Sequence, residues 1–374
     1  MAESVSWLKA MDPRETKLNI LLFALPITLY FNYVDQDHSL AFFSSLIAIM
    51  PLAFLMGRAT EEIALRTTES LGGLLNATFG NAAELIIAVL LILEASRVAD
   101  PETQSFFIHL VQASLIGSIL GNLLLVMGLA FVWGGIHHSE QKYSETQVSS
   151  NGSLLLLSMI VLVIPTVFHS SVGDEGGDSR LLDLSHIAAA ILLLVYGLFL
   201  LFQFRTHVHL FATDGSHHEE PEMTQRDSII LLVVATVLVS WMAEILVHSV
   251  EYAAEDFGLP HLFIGVILLP LFGNAAEHFT AVTVAGKDKM DLSFAISMGS
   301  STQIAVFIAP LMVIIAWALG VPLTFEFGIL ETVSAFLAVL IVNSIAADGK
   351  SNWLEGAMLL SSYGVLAAAF LFHP

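Results

Sequence analysis

The hexapeptide Phe79-Gly-Asn-Ala-Ala-Glu84 returns unchanged as Phe272-Gly-Asn-Ala-Ala-Glu277, 193 residues downstream. Extended to Val89 and Val282, the two copies match at eight of eleven positions. In each copy an amide precedes the acid by three residues (Asn81 before Glu84, Asn274 before Glu277), so on a helix each pair shares a face. Both acids fall near the middle of long apolar stretches. A carboxylate at membrane depth costs at least about 2.5–3.5 kcal/mol on the insertion scale. One such Glu could be a structural residue bonded to a neighbouring helix; two, in a duplicated motif at matched depth, point to function. Gly80 and Gly273 lack side chains, and Pro270 cannot donate its backbone hydrogen bond. They permit close helix approach, or a local break that frees carbonyl oxygens. Two carboxylates with amide and carbonyl oxygens make a hard, oxygen-only cation site. Calcium takes about six to eight such ligands, whereas magnesium holds its water too tightly for a dehydrating path. His278 is the one obvious nitrogen ligand nearby. It stands where the first copy has Leu85, and suits a packed histidine as well as a proton-handling one.

Two more carboxylates lie inside apolar stretches, Glu61 and Glu244, in comparable places relative to the two motifs. Glu244, His248, Glu251 and Glu255 make one polar stripe at helical spacing, readable as an access vestibule or as side chains snorkelling near a helix end. Glu62 has Arg58 and Arg66 four residues to either side and reads as an ion-paired interfacial residue. Two further polar sets follow the motifs. One is Gln112, Ser114, Gly117, Ser118, Gly121 and Asn122; the other is Ser297, Gly299, Ser300, Ser301, Thr302 and Gln303. Small-residue packing accounts for the glycines and serines. Gln112, Asn122 and Gln303, with Ser118, Ser300 and Ser301, would complete an oxygen-lined cavity.

The elements that must position these residues are membrane helices. The 374-residue chain is 56% hydrophobic and only 13% charged, with mean hydropathy +0.80, which excludes a soluble single-core enzyme. It has no cysteine, so no disulfide, thiolate metal site or cysteine nucleophile. A net charge of −21 argues against nucleic acid and fits a cation as partner. Apolar windows of about 20 residues predict an all-α polytopic membrane protein of eleven spans. They lie near 18–34, 40–65, 70–94, 105–133, 150–171, 183–205, 227–250, 260–286, 291–318, 322–347 and 351–373. The first 17 residues read as a short basic tail; a cleaved signal peptide is the weaker reading, because 27–36 offers no small-x-small cleavage site.

With the N-terminus inside, eleven Lys and Arg face the cytosol and only Arg97 and Arg180 face out. Pro374 then lies outside. Five spans separate the two motif copies, so the copies cross in opposite directions. The expected organisation is therefore a tail and extra first helix (1–39), a five-helix repeat (40–205), an acidic cytosolic linker (206–226) and a second, inverted five-helix repeat (227–374). Inverted repeats of this kind build transporters with a site at the bilayer midplane. The linker carries Asp214, Glu219, Glu220 and Glu222 beside His217 and His218, and reads either as a solvated connector or as a cation-sensing segment.

At the two motifs, and at Gly117-Ser118 and Gly299-Ser300-Ser301-Thr302-Gln303, the chain resembles the calcium/proton exchanger family, the proton-coupled branch of the calcium:cation antiporter superfamily. The resemblance covers about 40–373 in organisation. It implies Glu84 and Glu277 as calcium and proton sites, Asn81 and Asn274 as site-lining residues, and Glu61 and Glu244 as auxiliary acids. It implies Ca2+ as transported substrate with no cofactor, H+ and the lipid bilayer as the other partners, and leaves a homo-oligomer open. The sodium-coupled branch typically has Ser or Thr after the motif glycine and often Pro before the acid. Asn and Ala stand there in this chain, which favours protons. The long N-terminal extension of many plant members is missing, so the cell membrane of a prokaryote is the first expectation and a vacuole-type organelle membrane the second. Protons and a divalent cation competing for two carboxylates would give obligatory exchange, since either loaded state is closer to neutral than two bare carboxylates. The rivals are a sodium-coupled exchanger of the same fold and a cation channel. An intramembrane enzyme would need a nucleophile–base pair or a metal triad, neither of which is found.

Overall fold

The structure is a computed structural model, and it describes residues 5–67, 72, 75, 78–172, 177–208 and 221–373. Among the described residues it is nearly all-helical, and nine helices are long and apolar enough to cross a membrane. They are α1 (Lys17–Asp35), α2 (His38–Ala64), α4 (Pro101–His137), α5 (Glu145–Ser171), α6 (Ser179–Thr206), α7 (Gln225–Phe257), α10 (Met290–Ala318), α11 (Ile329–Asp348) and α12 (Trp353–Phe372). The pair α8 (His261–Gly273) and α9 (Ala275–Gly286), bent by 58°, makes a tenth if the two together count as one span. The span expected at 70–94 includes residues outside the described set. Its described part is helical at 78–80 and again in α3 (Ala82–Arg97). Of the linker, 209–220 lie outside the described residues, and with them Asp214, His217, His218, Glu219 and Glu220.

Helix starts follow local chemistry. Asp37 caps α2 by accepting from Leu40 N at 2.9 Å, and Thr224 caps α7 by accepting from Asp227 N. Asp100 caps α4 with Pro101 at the first helical position. Its bonds from the Thr103 amide and hydroxyl hold the carboxyl below the usual aspartate range. α7 stops at Gly258, whose φ of +60° suits a residue without Cβ.

The chain divides into two compact units. The first comprises Met1–Leu90, Ala212–Leu259 and Leu271–Glu277. In it α2 and α7 pack along one another, and α1 lies on α2. The loop end of the linker is clasped to α2. Glu62, buried, accepts from the backbone N–H of Glu222 (3.0 Å) and Met223 (3.1 Å), while Arg66 reaches both Glu62 and the Met223 carbonyl. Arg58, expected beside Glu62, pairs instead with Glu222 at 3.1 Å. The expected partner was replaced because Glu62 is already filled by two amides and Arg66.

The second unit comprises Leu91–Phe211, Pro260–Pro270 and His278–Pro374. Here α4 packs on α8 and α12, α10 on α6, and α11 on α5. A Cβ on Gly117 would overlap the Val266 carbonyl and stand 2.6 Å from Pro270 Cγ, so the backbones of α4 and α8 meet closely at that point. A two-residue ladder, Gln141–Lys142 with Lys350–Ser351, joins two connecting loops.

One boundary differs clearly from expectation. The helix expected from 322 begins at Ile329. Residues 321–328 are non-helical, alternating buried Val321, Leu323, Phe325 and Phe327 with less buried Pro322, Thr324, Glu326 and Gly328. Gly320 at φ +74° and Pro322 break the helix, and Gly328 with Glu331 caps the next one.

Candidate functional site

In both copies of the repeated motif the asparagine is the residue at which the helix breaks. Asn81 is a turn residue between the helical 78–80 and α3; Asn274 is the turn residue between α8 and α9. Each glutamate then sits in the first turn of the helix that restarts, Glu84 in α3 and Glu277 in α9. Gly80 and Gly273 precede the breaks and allow them. Discontinuous helices of this kind place helix ends and unwound backbone at ion sites.

The four motif residues belong to the first unit, and their packing is reciprocal. A Cβ placed on Gly80 would stand 3.3 Å from Glu277 Oε1; one placed on Gly273 would stand 3.7 Å from Glu84 Oε1. Each acid therefore lies over the glycine of the opposite motif, tightly at Gly80 and at ordinary contact distance at Gly273. Asn81 and Asn274 are both 1% exposed. Both Glu84 oxygens, and both amide atoms of Asn274, are buried with no hydrogen-bond partner among the described residues. Polar atoms buried without partners are costly, and functional sites are where they persist. These oxygens are the donors a hard cation takes in exchange for water. Among the described residues no three His, Asp or Glu side chains gather as a metal cluster, so a cation here would draw on amide and carbonyl oxygens beside the carboxylates.

The other expected residues fall as follows. Glu61 on α2 and Glu244 on α7 are exposed side chains of the first unit, and the stripe Glu244, His248, Glu251 and Glu255 is exposed along its length. His278 is half-buried, with Nε2 unpartnered among the described residues. The remaining set lies in the second unit. Asn122 Nδ2 donates to Ser300 Oγ at 3.1 Å, while Asn122 Oδ1 is buried without a partner among the described residues. Ser118 is buried, Ser301 is buried and donates to Ser297 O at 2.9 Å, and Gln303 is half-buried. Just past Ser118 and Ser300 the helix widens into π turns, Gly121–Val126 in α4 and Ile304–Ile308 in α10. Such turns are frequent at functional sites. Gln112 is buried, but its Nε2 donates to the carbonyls of Thr324 (3.0 Å) and Glu326 (2.7 Å). Its amide nitrogen thus holds backbone.

Two acids escaped the sequence reading, Glu326 and Glu331. Glu331 is buried and accepts from Gly328 N at 2.7 Å, a helix cap. Glu326 pairs with His169 at 3.5 Å. Both were hidden by placing the helix start at 322; Gly320, Pro322 and Gly328 were the available signals.

The family model described as "Sodium/calcium exchanger protein" matches residues 38–205 and 227–372. The chain belongs to this family. Among curated relatives, the exchanger chain is 44% identical over 370 residues to a Ca(2+)/H(+) antiporter of Aphanothece halophytica, covering 95% of this chain and 96% of that one. It is 38% identical to a vacuolar calcium ion transporter of Schizosaccharomyces pombe, covering 100% and 90%. Among solved structures, native YfkE superposes with a TM-score of 0.80 at 35% identity, covering 95% of this chain and 99% of that one. The H+/Ca2+ exchanger CAX superposes at 0.72 with 13% identity, a likeness of fold. The family is one of exchangers, and its members cross the membrane many times, as the helices of this chain are built to do.

Proposed function

We propose that this exchanger is a calcium/proton antiporter in which Glu84 and Glu277 take Ca2+ and H+ in alternation. The observation that carries the reading is the reciprocal seating of each glutamate over the glycine of the other motif. It makes the two copies one site, and beside it the Glu84 oxygens and the Asn274 amide are buried with no hydrogen-bond partner among the described residues. The antiporter of Aphanothece halophytica, similar over nearly the whole chain, supports the choice of ions. Asn81 and Asn274 supply amide oxygens at the breaks; Glu61 and Glu244 act as auxiliary acids; His278, next to Glu277 in the chain, is a further group able to carry a proton. Asn122, Ser300, Ser301, Ser118 and Gln303 line the polar path of the second unit.

The chemistry follows from competition. Calcium needs both carboxylates ionised, and its departure lets both protonate. Two bare carboxylates away from water are the costly state, so the protein changes face when loaded. The N-terminus and the 206–226 linker lie in the cytosol and the C-terminus outside, with 40–205 and 227–374 as inverted halves. The test is Glu84→Gln and Glu277→Gln, each of which keeps volume and removes ionisation. Each should abolish pH-driven calcium flux in sealed vesicles while the protein stays folded; near-normal flux in either variant overturns the assignment.

A further inference from the structure

Among the described residues no strand pairs with the non-helical segment 321–328, so its backbone must find other partners. It finds them in side chains from three helices. Gln112 of α4 donates to the carbonyls of Thr324 and Glu326. Ser185 Oγ of α6 accepts from Phe325 N at 3.0 Å. Thr166 Oγ1 of α5 lies 3.3 Å from both the N–H and the carbonyl of Phe327. None of these bonds involves a group that titrates near neutrality. The segment is anchored further by Val321, Leu323, Phe325 and Phe327, all buried.

Its one charged side chain is different. Glu326 Oε2 lies 3.5 Å from His169 Nδ1 of α5, with the two side chains 35% and 28% exposed. His109 of α4 is within electrostatic reach of both Glu326 and His261 of α8, and His261 packs edge-on against Phe106. From α11 the nearby acid is Glu331, already spent on Gly328 N, with His373 in its field. The α6 contact is the neutral Ser185. Glu326 thus has His169 beside it and His109 within electrostatic reach, at the end of the second unit where α4, α6, α8 and α11 begin. The proposed orientation puts that end outside.

We propose that 321–328 is a proton-sensitive strap: hydrogen bonds from Gln112, Ser185 and Thr166 seat it at all pH values, and His169 pins it through Glu326 only when the imidazole is protonated. Histidine is the side chain whose ordinary range spans that change. The 3.5 Å contact is an ion pair only while the imidazole carries its second proton. With a neutral imidazole the pair lapses, and the strap is held by Gln112, Ser185, Thr166 and its buried apolar side chains.

The test is hydrogen exchange of the 321–328 backbone in the full-length protein in detergent. Wild type is compared with His169→Gln at pH 5.5 and pH 8, taking the ratio at each pH so that intrinsic exchange cancels. Partly exposed pairs are weak, so the expected slowing in wild type at pH 5.5 is about two- to fivefold, falling towards one at pH 8. Glu326→Gln should reproduce the His169→Gln behaviour, and the double variant should add nothing. A ratio that is the same at both pH values, or a Glu326→Gln protein that keeps the wild-type pH dependence, overturns the strap. Because no calcium and no flux enter the measurement, its failure is separate from a failure of the antiport reading.

Discussion

Gly80→Ala and Gly273→Ala should not be equivalent, although the motifs are identical. A methyl on Gly80 would stand 3.3 Å from Glu277 Oε1, tighter than carbon and oxygen ordinarily sit; a methyl on Gly273 would stand 3.7 Å from Glu84 Oε1, an ordinary contact. In the first case the carboxylate must retreat by a few tenths of an ångström, and in the second it need not. Overpacking a filled core costs about 1–3 kcal/mol, but here the yielding atom ends a flexible side chain, so the low end, about 1 kcal/mol, applies. Every 1.4 kcal/mol is a factor of ten, so Gly80→Ala should weaken apparent calcium affinity about fivefold. Gly273→Ala should change it by less than about twofold on the same scale. Neither should lower thermal stability, since Ala is the better helix former by up to about 1 kcal/mol. The assay is the calcium dependence of flux in vesicles, with melting of the purified protein alongside. Equal effects from the two variants, or a larger effect from Gly273→Ala, would refute the reciprocal packing argument.

Gly117→Ala should cost folded protein, since its methyl would overlap the Val266 carbonyl, a main-chain atom that cannot move aside. A melting temperature as high as that of Gly121→Ala, where nothing lies within 4 Å, would count against the close approach of α4 and α8. Glu62→Ala should release residues 221–223 from α2, because two backbone amides and Arg66 lose their acceptor together. Breaking one side of such a buried pair costs about 3–5 kcal/mol, and faster proteolysis near Met223 is the readout. The proposed orientation predicts that a single cysteine at Ser216 is labelled only from the cytosolic side and one at His373 only from outside; the reverse pattern would invert the topology.

Much of this was legible in the residues because membrane helices are written in long apolar runs and because the motif is duplicated. The ends of α2, α4, α7 and α10 lie within a few residues of the hydropathy windows, or run past them where caps such as Asp37, Asp100 and Thr224 set the start. That Gly80 and Gly273 would permit a break was readable; that the break falls on Asn81 and Asn274 was not, because glycine and asparagine are both tolerated at a turn. The segment 321–328 is apolar enough to pass for a span. Its departure from helix depends on Gln112, Ser185 and Thr166 arriving from helices far away in sequence. Arg58 was placed by spacing alone, which cannot foresee that Glu222 comes to it from the linker. Gln112 was read as a cavity residue from its type, and its nitrogen is spent on backbone for the same long-range reason.

The most direct test of the central claim is calcium uptake into sealed inverted vesicles, acid inside, with sodium absent and the membrane potential clamped at zero, while external pH is recorded. The account predicts calcium entry that requires the pH gradient, acidifies the external medium as protons leave, and slows when the outside is made acidic. A calcium flux indifferent to the pH gradient, or one that answers only to an imposed sodium gradient, would contradict it.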